Sequence, residues 1–500
     1  MARLTTTFSL GEQPEVFFST TGTSRAIRRL LDAGEVRHIE GRLYTKNLTD
    51  PPTDVVRRRV WDIAAGYFPG AVIVDRTAFE LRPSGEEGSV FLCGGTRRVV
   101  RLPGVVLNCR RGPGPASGDQ PFMGGGLYMS SWPRRFLENM RASRARSGIS
   151  RTLSAAELER QLQAVLVNQG EEELNRLRDE ARRLAPEIDA EQECERVGSV
   201  IGALLGTRES ALVTARARAT RAGVGWDERR LALFDELTAA LNAHVPVNRP
   251  ERPSQMGPPF AFFEAYFSNF IEGTEFLVSE AEDIVFGGAI PTDRPEDAHD
   301  VLGTYDVVAD ARARAGVPGD FATLEGILRS AHARVLAARS EMAPGEYKTR
   351  ANRAGQTEFV APMLVRGTLE QGMERYVMLP PGFQRAVFAM FLVSEVHPFA
   401  DGNGRVARVL SNAELSAASQ QRLIIPTVLR DDYLNALRAM SRQANPTPLI
   451  RVLDRAQDFC AQLDWADLDR AEAQLRSAHA FDTPSEADAA GVILRLPSEV

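Results

Sequence analysis

The sequence has 500 residues, of which 43% are hydrophobic and 25% charged, with a net charge of −6. This composition is typical of a globular protein with two or three domains, and the negative charge excludes a protein that binds nucleic acid over its whole surface. No apolar run of about 18 residues and no signal-peptide pattern occurs, which predicts no membrane contact and a cytoplasmic location. The four cysteines (Cys93, Cys109, Cys194 and Cys460) lack metal-ligand spacing, so neither a zinc site nor a disulfide framework is predicted.

The N-terminal residues 1–50 predict a winged-helix-like module. Apolar spacing indicates a helix over 22–33, and two short apolar runs around Glu40 and Gly41 indicate a β-hairpin. Basic residues lie on both elements: Arg25, Arg28, Arg29, Arg37, Arg42 and Lys46. Two interpretations remain open, a small DNA-binding module and a solvated basic helix packed on a sheet.

Residues 51–130 contain short apolar runs separated by Gly and Pro, which predict a β-rich segment. The segment 131–247 has helical periodicity, and four prolines in 248–259 predict a linker. From SRAIRRLLDAGEVRHIEGRLYTKN through PGAVIVDRTAFE, the pattern resembles the AbiEi-type antitoxin regulators, whose N-terminal part is a winged helix. This resemblance extends over roughly residues 20–245 and includes no catalytic signature.

An aromatic-rich helix, FAFFEAYFSNFIEG, is predicted after the linker. It places Ser268 and Glu272 four residues apart on one face, with Glu272 in the last turn before Gly273. The helix dipole disfavours a carboxylate there, so either a cation partner or an exposed glutamate before a glycine cap is expected. Further along, PGEYKTRANRAGQTEFVAP at 344–362 predicts a hairpin around a Gly-Gln turn.

The segment HPFADGNGRVAR at 397–408 holds the greatest density of reactive side chains. Pro398 disfavours helix continuation beyond His397, so this histidine is predicted at a helix end. A second helix is predicted to start at the glycines 402–404, where free N–H groups attract anions. Arg405 and Arg408 are three apart and share a helix face. Together these groups predict a phosphate-binding site.

HPFADGNGRVAR closely matches HxFx[DE]GNGR, the signature of the Fic family, and Arg408 completes GNGRxxR. The resemblance covers about 260–465 and implies an all-helical domain with a β-hairpin flap, assigned here to 260–480. The polar composition after residue 480 predicts an irregular tail at 481–500. The predicted fold is therefore mainly α, preceded by a mixed α/β region that is winged-helix-like, then β-rich, then helical.

The resemblance also implies the role of each signature residue. His397 would be the general base, Asp401 would hold Mg²⁺, and Arg408 would bind the γ-phosphate of ATP. The remaining nucleotide-binding positions would be Gly402, Asn403, Gly404 and Arg405.

Upstream, SNFIEG matches the [ST]xxxE[GN] inhibitory motif that accompanies the family. Ser268, Glu272 and Gly273 would then form an inhibitory helix end, with Glu272 paired to Arg408. The hairpin would be the flap that holds a target segment by strand addition. The residues assigned to that role are Gln356, Thr357, Glu358, Phe359 and Val360.

The function implied is that of a bacterial protein adenylyltransferase, autoinhibited through Glu272, which transfers AMP from ATP to a Ser, Thr or Tyr hydroxyl of a protein. A donor carrying another phosphate-containing group is an alternative, although Gly rather than Ala before Asn403 favours nucleotide transfer over phosphorylation. A further alternative, of another class, is a DNA-binding antitoxin-like regulator in which the Fic domain acts as a sensor.

Overall fold

The computed structural model describes residues 8–122, 124, 126–141, 143, 149–208, 212–252 and 257–495. Parts of five predicted segments fall outside these residues: 1–7 of the winged-helix-like module, 123 and 125 of the β-rich segment, 142, 144–148 and 209–211 of the helical segment, 253–256 of the linker and 496–500 of the tail. The chain divides into two compact units, Met1–Arg221 and Ala222–Val500. Among the described helices, none is both long enough and apolar enough to cross a membrane.

The N-terminal unit begins with a three-stranded antiparallel sheet and one helix. Their bounds are β1 (Val16–Phe18), α1 (Ser24–Asp32), β2 (Arg37–Glu40) and β3 (Leu43–Thr45), and the strand order is β1-β3-β2. Gly41 turns the chain between β2 and β3 at φ +57°, a conformation that glycine adopts without strain. Ile27 of the helix, Phe17 of β1 and Val36 form a buried apolar cluster. The predicted helix and hairpin are confirmed.

A six-stranded mixed sheet follows, in the order β6-β7-β5-β4-β9-β8. Its strands are β4 (Val72–Ile73), β5 (Ser89–Gly94), β6 (Arg98–Leu102), β7 (Val105–Arg111), β8 (Gln120–Phe122) and β9 (Leu127–Met129). The pairs β5/β7 and β4/β9 are parallel, and the other pairs are antiparallel. Because all six residues of β5 are buried, this strand reads as a continuous apolar run rather than an alternating one.

The same region contains helices that the short apolar runs did not reveal. They are α2 (Pro52–Arg58), α3 (Val60–Tyr67) and α4 (Asp75–Glu80). The run AVIVDRTAFE reads as one strand, but only two of its residues pair, because the chain turns at Asp75, where φ is +56°. The segment predicted as β-rich is therefore mixed.

Four described helices complete the N-terminal unit: α5 (Trp132–Asn139), α6 (Ala155–Leu184), α7 (Glu191–Leu204) and α8 (Ala215–Arg221). Ser154 and Glu157 form a capping box at the start of α6, which satisfies free N–H groups of the first turn. Gly170 interrupts α6 with a φ of +87°. The predicted helical character of this segment is confirmed.

The C-terminal unit is almost entirely helical, which confirms the mainly α fold. Its helices are α9 (Glu228–Ala243), α10 (Pro258–Ile271), α11 (Val278–Val285), α12 (Pro295–Ala309), α13 (Ala311–Ala315), α14 (Phe321–Val335), α15 (Val365–Tyr376), α16 (Phe383–Val396), α17 (Asn403–Ala417), α18 (Arg430–Gln443), α19 (Thr447–Gln462), α20 (Leu468–Ser477) and α21 (Pro484–Ala490). One hairpin interrupts them, formed by β10 (Arg353–Ala354) and β11 (Thr357–Glu358). Helix α16 is apolar on nearly all faces and lies buried at the centre, packed against α17.

The division between the units falls inside the segment predicted as helical over 131–247, not at the linker predicted for 248–259. Helix α9 belongs to the C-terminal unit, where the buried Arg230 pairs with Glu395 of α16 at 2.9 Å. Arg249 is also buried and binds Asp454 and Asp458. Prolines favour an extended backbone, but they do not prevent such an extended chain from packing.

The tail predicted to be irregular contains a helix, so that prediction was wrong for residues 484–490. Thr483 and Glu486 form a capping box at the start of α21. Gly491 ends the helix with a φ of +64°. These two local signals outweigh the polar composition that suggested an irregular chain.

Candidate active site

A cavity of about 350 Å³ opens in the C-terminal unit beside the hairpin and helices α16, α17 and α18. Six residues of the predicted site line it: Glu272, Thr357, Phe359, His397, Gly404 and Arg408. The hairpin also contributes Ala354 and Gly355, and helices α16 and α18 contribute Ser394, Glu395, Tyr433, Leu434, Leu437, Arg438, Ser441 and Arg442. A neighbouring cleft of about 230 Å³ includes Gln356 and Glu358 of the hairpin. The cavity therefore combines a histidine, a helix N-terminus and several cationic groups.

His397 caps the C-terminus of α16 in the left-handed conformation, at φ +52°. Its Nδ1 lies 3.2 Å from the carbonyl oxygen of Ser394 and donates to it, which leaves Nε2 as the acceptor nitrogen. Burial lowers the pKa of His397 to about 4, and the positive charge of Lys348 acts in the same direction. The imidazole is therefore neutral near pH 7. It can accept a proton at Nε2.

The turn between His397 and α17 is closed by Asn403. Its Oδ1 accepts the N–H of Phe399 at 2.9 Å, and its Nδ2 donates to the carbonyl oxygen of Phe399 at 3.0 Å. Gly402 is left-handed at φ +71°, and a Cβ there would lie 3.0 Å from Leu336 Cδ1. Asn403 thus stabilises the loop, because its side-chain amide is hydrogen-bonded to the backbone of the turn.

Glu272 and Arg408 meet at the first turn of α17. Glu272 is the C-terminal cap of α10, and its Oε1 lies 2.6 Å from Arg408 Nη2. Arg408 also donates to the hydroxyl of Ser268 at 2.9 Å and to the carbonyl oxygen of Ser268 at 2.8 Å. A Cβ on Gly404 would lie 2.1 Å from Glu272 Oε1. The carboxylate therefore rests against the helix N-terminus, where the dipole attracts an anion.

Arg405 does not line the cavity. Its buried guanidinium lies 2.7 Å from Asp300 Oδ2 and 3.4 Å from Asn269 Oδ1. The sequence indicated that Arg405 and Arg408 share a face, but Asp300 of α12 supplies a buried partner that local spacing cannot reveal. Of the two arginines, Arg408 is the one beside the cavity, and Arg405 anchors α17 to α12.

Asp401 presents the exposed carboxylate of the signature loop, with 48% of its side chain accessible and its Oδ2 3.4 Å from Arg405 Nη2. Among the described residues, no three His, Cys, Asp or Glu side chains converge into a metal-binding group. Mg²⁺ commonly uses one or two carboxylates together with substrate phosphate oxygens. A single accessible carboxylate fits a cation that arrives with a nucleotide.

The hairpin predicted at 344–362 is confirmed as β10 and β11, with Gly355 in the turn at φ +58°. The ring of Phe359 stacks on the imidazole of His397 with centroids 3.7 Å apart and planes 5° apart. Arg442 of α18 donates to the hydroxyl of Thr357 at 2.8 Å. Val360 is fully buried and anchors the end of the hairpin. The hairpin therefore contacts the histidine directly.

Residues 323–415 match the Fic/DOC family, and this range includes the whole signature at 397–408. The chain carries a Fic domain. Two proteins named protein adenylyltransferase Fic, from Drosophila mojavensis and Drosophila willistoni, are 26% and 27% identical to it over 238 residues. These matches cover 45% of this chain and 45% and 46% of the relatives, so the chain spans less than half of the length of these curated proteins.

A solved structure of a Fic domain containing signaling protein from Bacteroides thetaiotaomicron is also similar to the chain. It is 18% identical, with a TM-score of 0.36, and the match covers 46% of this chain and 95% of that one.

The Fic domain also contains site residues that sequence reasoning missed. His332 is buried against Phe399, with ring centroids 3.9 Å apart. Its Nδ1 accepts the N–H of Gly345 at 2.8 Å, so its Nε2 carries the proton donated to the carbonyl oxygen of Asp401, 3.1 Å away. Burial lowers the pKa of His332 to about 4, so the imidazole that links Gly345 to Asp401 is neutral.

Lys348 is a second missed residue of the Fic domain, and it lies beside the segment that carries His397. One signal was available in the sequence. Lys348 is one of only two lysines in a chain that otherwise uses arginine.

Proposed function

We propose that the protein is an adenylyltransferase that moves AMP from ATP to a Ser, Thr or Tyr hydroxyl of a protein, and that it works in the cytoplasm. One observation carries the proposal: a neutral His397 whose Nε2 is the acceptor nitrogen shares a cavity with Arg408 and the N-terminus of α17. A proton acceptor and an anion site side by side are what phosphoryl-group transfer to a hydroxyl requires.

In the proposed reaction, the hydroxyl oxygen attacks the α-phosphorus of ATP and its proton passes to His397 Nε2. A bond forms between that oxygen and the α-phosphorus, and the bond from the α-phosphorus to the bridging oxygen breaks, releasing pyrophosphate. The N–H groups at Gly402 to Gly404 stabilise the charge that develops on the phosphates. Arg408 binds the γ-phosphate, while Arg405 acts indirectly by fixing α17 to Asp300.

Mg²⁺ would be held by Asp401 and would neutralise phosphate charge when bound. We expect Asp401→Asn to raise the Mg²⁺ concentration needed for half-maximal transfer, because an amide oxygen is a weaker ligand for a hard cation than a carboxylate. The measurement is incorporation of adenylate across a Mg²⁺ titration, with Asp431→Asn, on the exposed start of α18, as the matched control. Identical titrations for the Asp401 variant and wild type would remove Asp401 from the metal site.

The resting protein is proposed to be inhibited by Glu272. Its carboxylate makes a charge-assisted hydrogen bond to Arg408 and lies against the first turn of α17. A γ-phosphate and this carboxylate would compete for the same guanidinium. Nucleotide would then bind productively only when the end of α10 is displaced.

The flap is proposed to hold the target segment by adding a strand beside Gln356 to Val360. Its short strands leave backbone groups for an added chain, and Phe359 brings the hairpin against His397. A target hydroxyl on such a strand would lie near the imidazole.

The group that is transferred can be tested with ATP labelled at either the α- or the γ-phosphorus. Incorporation of label from the α-position supports AMP transfer, and incorporation of label from the γ-position supports the alternative donor chemistry.

DNA binding by the N-terminal unit is a second candidate, in which the Fic domain would act as a sensor. Helix α1 exposes Arg25, Arg28 and Arg29, which share one face at i, i+3 and i+4 spacing. By contrast, Arg37 and Lys46 donate to backbone carbonyl groups of the module itself. The accessible basic surface is therefore formed by these three helix arginines and by the exposed Arg42 of the hairpin.

Fluorescence anisotropy with the DNA upstream of the gene tests this candidate. Replacing the three α1 arginines by Ala should weaken binding and reduce the salt slope by about 0.9 for each lost phosphate contact. The matched control replaces Arg97, Arg98 and Arg101, which are exposed in the same unit. Absence of binding at moderate salt, or equal effects of both triple variants, would remove the candidate.

A further inference from the structure

Lys348 is a buried ammonium group close to His397. Lys348 is only 6% exposed to solvent. Its Nζ donates hydrogen bonds to Asn352 Oδ1 at 2.7 Å and to the carbonyl oxygen of Val396 at 3.4 Å. Burial lowers the pKa of Lys348 to about 7, and Arg230 of α9 adds to this effect. Burying a cation whose hydrogen bonds go to neutral oxygens is costly. A role at the site would explain why a lysine stands here.

The segment that contains Lys348 binds the backbone on both sides of His397. Besides its Nζ contact with Val396, the backbone N–H of Lys348 donates to the carbonyl oxygen of Pro398 at 2.9 Å. Asn352 Nδ2 donates to the carbonyl oxygen of Phe399 at 2.9 Å. Three carbonyl groups flanking the histidine are thus fixed by two neighbouring side chains and one main-chain group.

The same segment also fixes the ring that covers the imidazole. The N–H of Phe359 donates to the carbonyl oxygen of Asn352 at 3.2 Å, and its ring stacks on His397. The Nζ of Lys348 lies 5.9 Å from the centroid of the Phe359 ring. Asn352 therefore joins the ammonium, the stacked phenyl ring and the histidine loop.

We propose that Lys348 is a positioning residue for His397: its side chain, braced by Asn352, holds the histidine loop in place, and its charge opposes protonation of the imidazole. The inference deepens the proposed function, and its kinetic test depends on that function. The charged groups that act on His397 are Lys348, Glu272 and Asp401; Lys348 opposes the imidazolium form, whereas the two carboxylates favour it. Glu272 is itself paired with Arg408 and Asp401 with Arg405, and removing Lys348 takes away the charge that directly opposes protonation of His397.

The direct test is NMR titration of the 500-residue chain labelled at histidine, with the His397 signal assigned from His397→Ala. In Lys348→Met, His397 should begin to protonate at a pH higher by roughly half to one unit, since one nearby cation has been removed. Lys348→Arg keeps the charge and should titrate as wild type does. The same protonation range in Lys348→Met and wild type, with both folded, would overturn the charge role. This measurement does not depend on any activity.

The kinetic test separates positioning from general destabilisation. Lys348→Met should lower kcat for AMP transfer between about 10- and 100-fold, because displacing a catalytic group by about 1 Å costs on the order of 100-fold. The KM for ATP should stay within about twofold of wild type, because Lys348 does not line the cavity. The acidic limb of the pH profile should move in the same direction as the NMR titration. An unchanged kcat would overturn the positioning role.

A second variant covers the case in which Lys348→Met does not fold. Asn352→Ala keeps the ammonium but removes its acceptor and the contact with Phe399. It should lower kcat without moving the protonation range of His397, and a kcat equal to that of wild type would contradict the proposal. If no form of the protein transfers AMP, the proposed function fails while the NMR result still decides the relation between Lys348 and His397.

Discussion

Replacing His397 by Ala is expected to abolish AMP transfer while leaving ATP binding largely intact. The nucleotide would still meet Arg408 and the N-terminus of α17, but the imidazole Nε2 that is proposed to accept the hydroxyl proton would be missing. Loss of a general base costs about 100- to 10,000-fold in rate. The measurement is incorporation of adenylate, paired with ATP affinity from calorimetry.

The control for this variant is His299→Ala, which removes an exposed histidine from the same unit. Both variants should unfold at temperatures close to wild type, because neither leaves a buried charge unpaired. Transfer by the His397 variant at the wild-type rate would contradict the assignment of the base. The assignment would also be contradicted if the His397→Ala variant lost ATP binding to the same extent as it lost AMP transfer.

The pH dependence provides a further check on the same residue. Burial lowers the pKa of His397 to about 4, and the base works only in its neutral form. The rate should therefore persist as pH falls below the usual histidine value of about 6.5 and be lost only near 4. A rate that is lost near pH 6.5 would show that the imidazole in solution is less shielded than its burial implies.

Replacing Glu272 by Gly is expected to raise auto-labelling by about 10- to 100-fold. The ion pair with Arg408 is a charge-assisted hydrogen bond, and such bonds contribute about 1.5–3 kcal/mol. Removing the carboxylate frees both the guanidinium and the anion site beside Gly404. The affinity for ATP should rise together with the rate, because the carboxylate and the γ-phosphate compete for one position.

Glu275→Gly is the matched control, since Glu275 is exposed and lies three residues further along, beyond the end of α10. It should leave labelling at the wild-type level. The auto-labelling of Glu272→Gln should lie between that of wild type and that of Glu272→Gly, because the amide keeps the shape of the side chain but loses its charge. Equal labelling by wild type and the Glu272→Gly variant would remove the inhibition model.

The residues most visible in the sequence were those whose roles depend on local spacing. Pro398 after His397, the glycines before α17 and the Ser268–Glu272 pair each follow from helix geometry and from the family signature. The structure brings Glu272 to Arg408 across 136 residues, a pairing that only the resemblance implied. Spacing within one helix could suggest a cation partner for Glu272, but not which cation.

The residues that sequence reasoning missed or misplaced depend on contacts distant in the chain. Lys348 reaches a carbonyl group 48 residues away, and His332 reaches one 69 residues away. Arg405 was expected beside phosphate, yet it pairs with Asp300 of α12. In the N-terminal unit, α2 and α3 are too short for their periodicity to stand out from neighbouring strands.

Intact-protein mass spectrometry of the Glu272→Gly variant, incubated with Mg²⁺ and ATP, tests the central claim most directly. The proposed function predicts a mass increase of one adenylyl group, located by fragmentation on a Ser, Thr or Tyr hydroxyl and absent when His397 is also replaced by Ala. A mass increase of a single phosphate, or no adduct at all while ATP still binds, would contradict it.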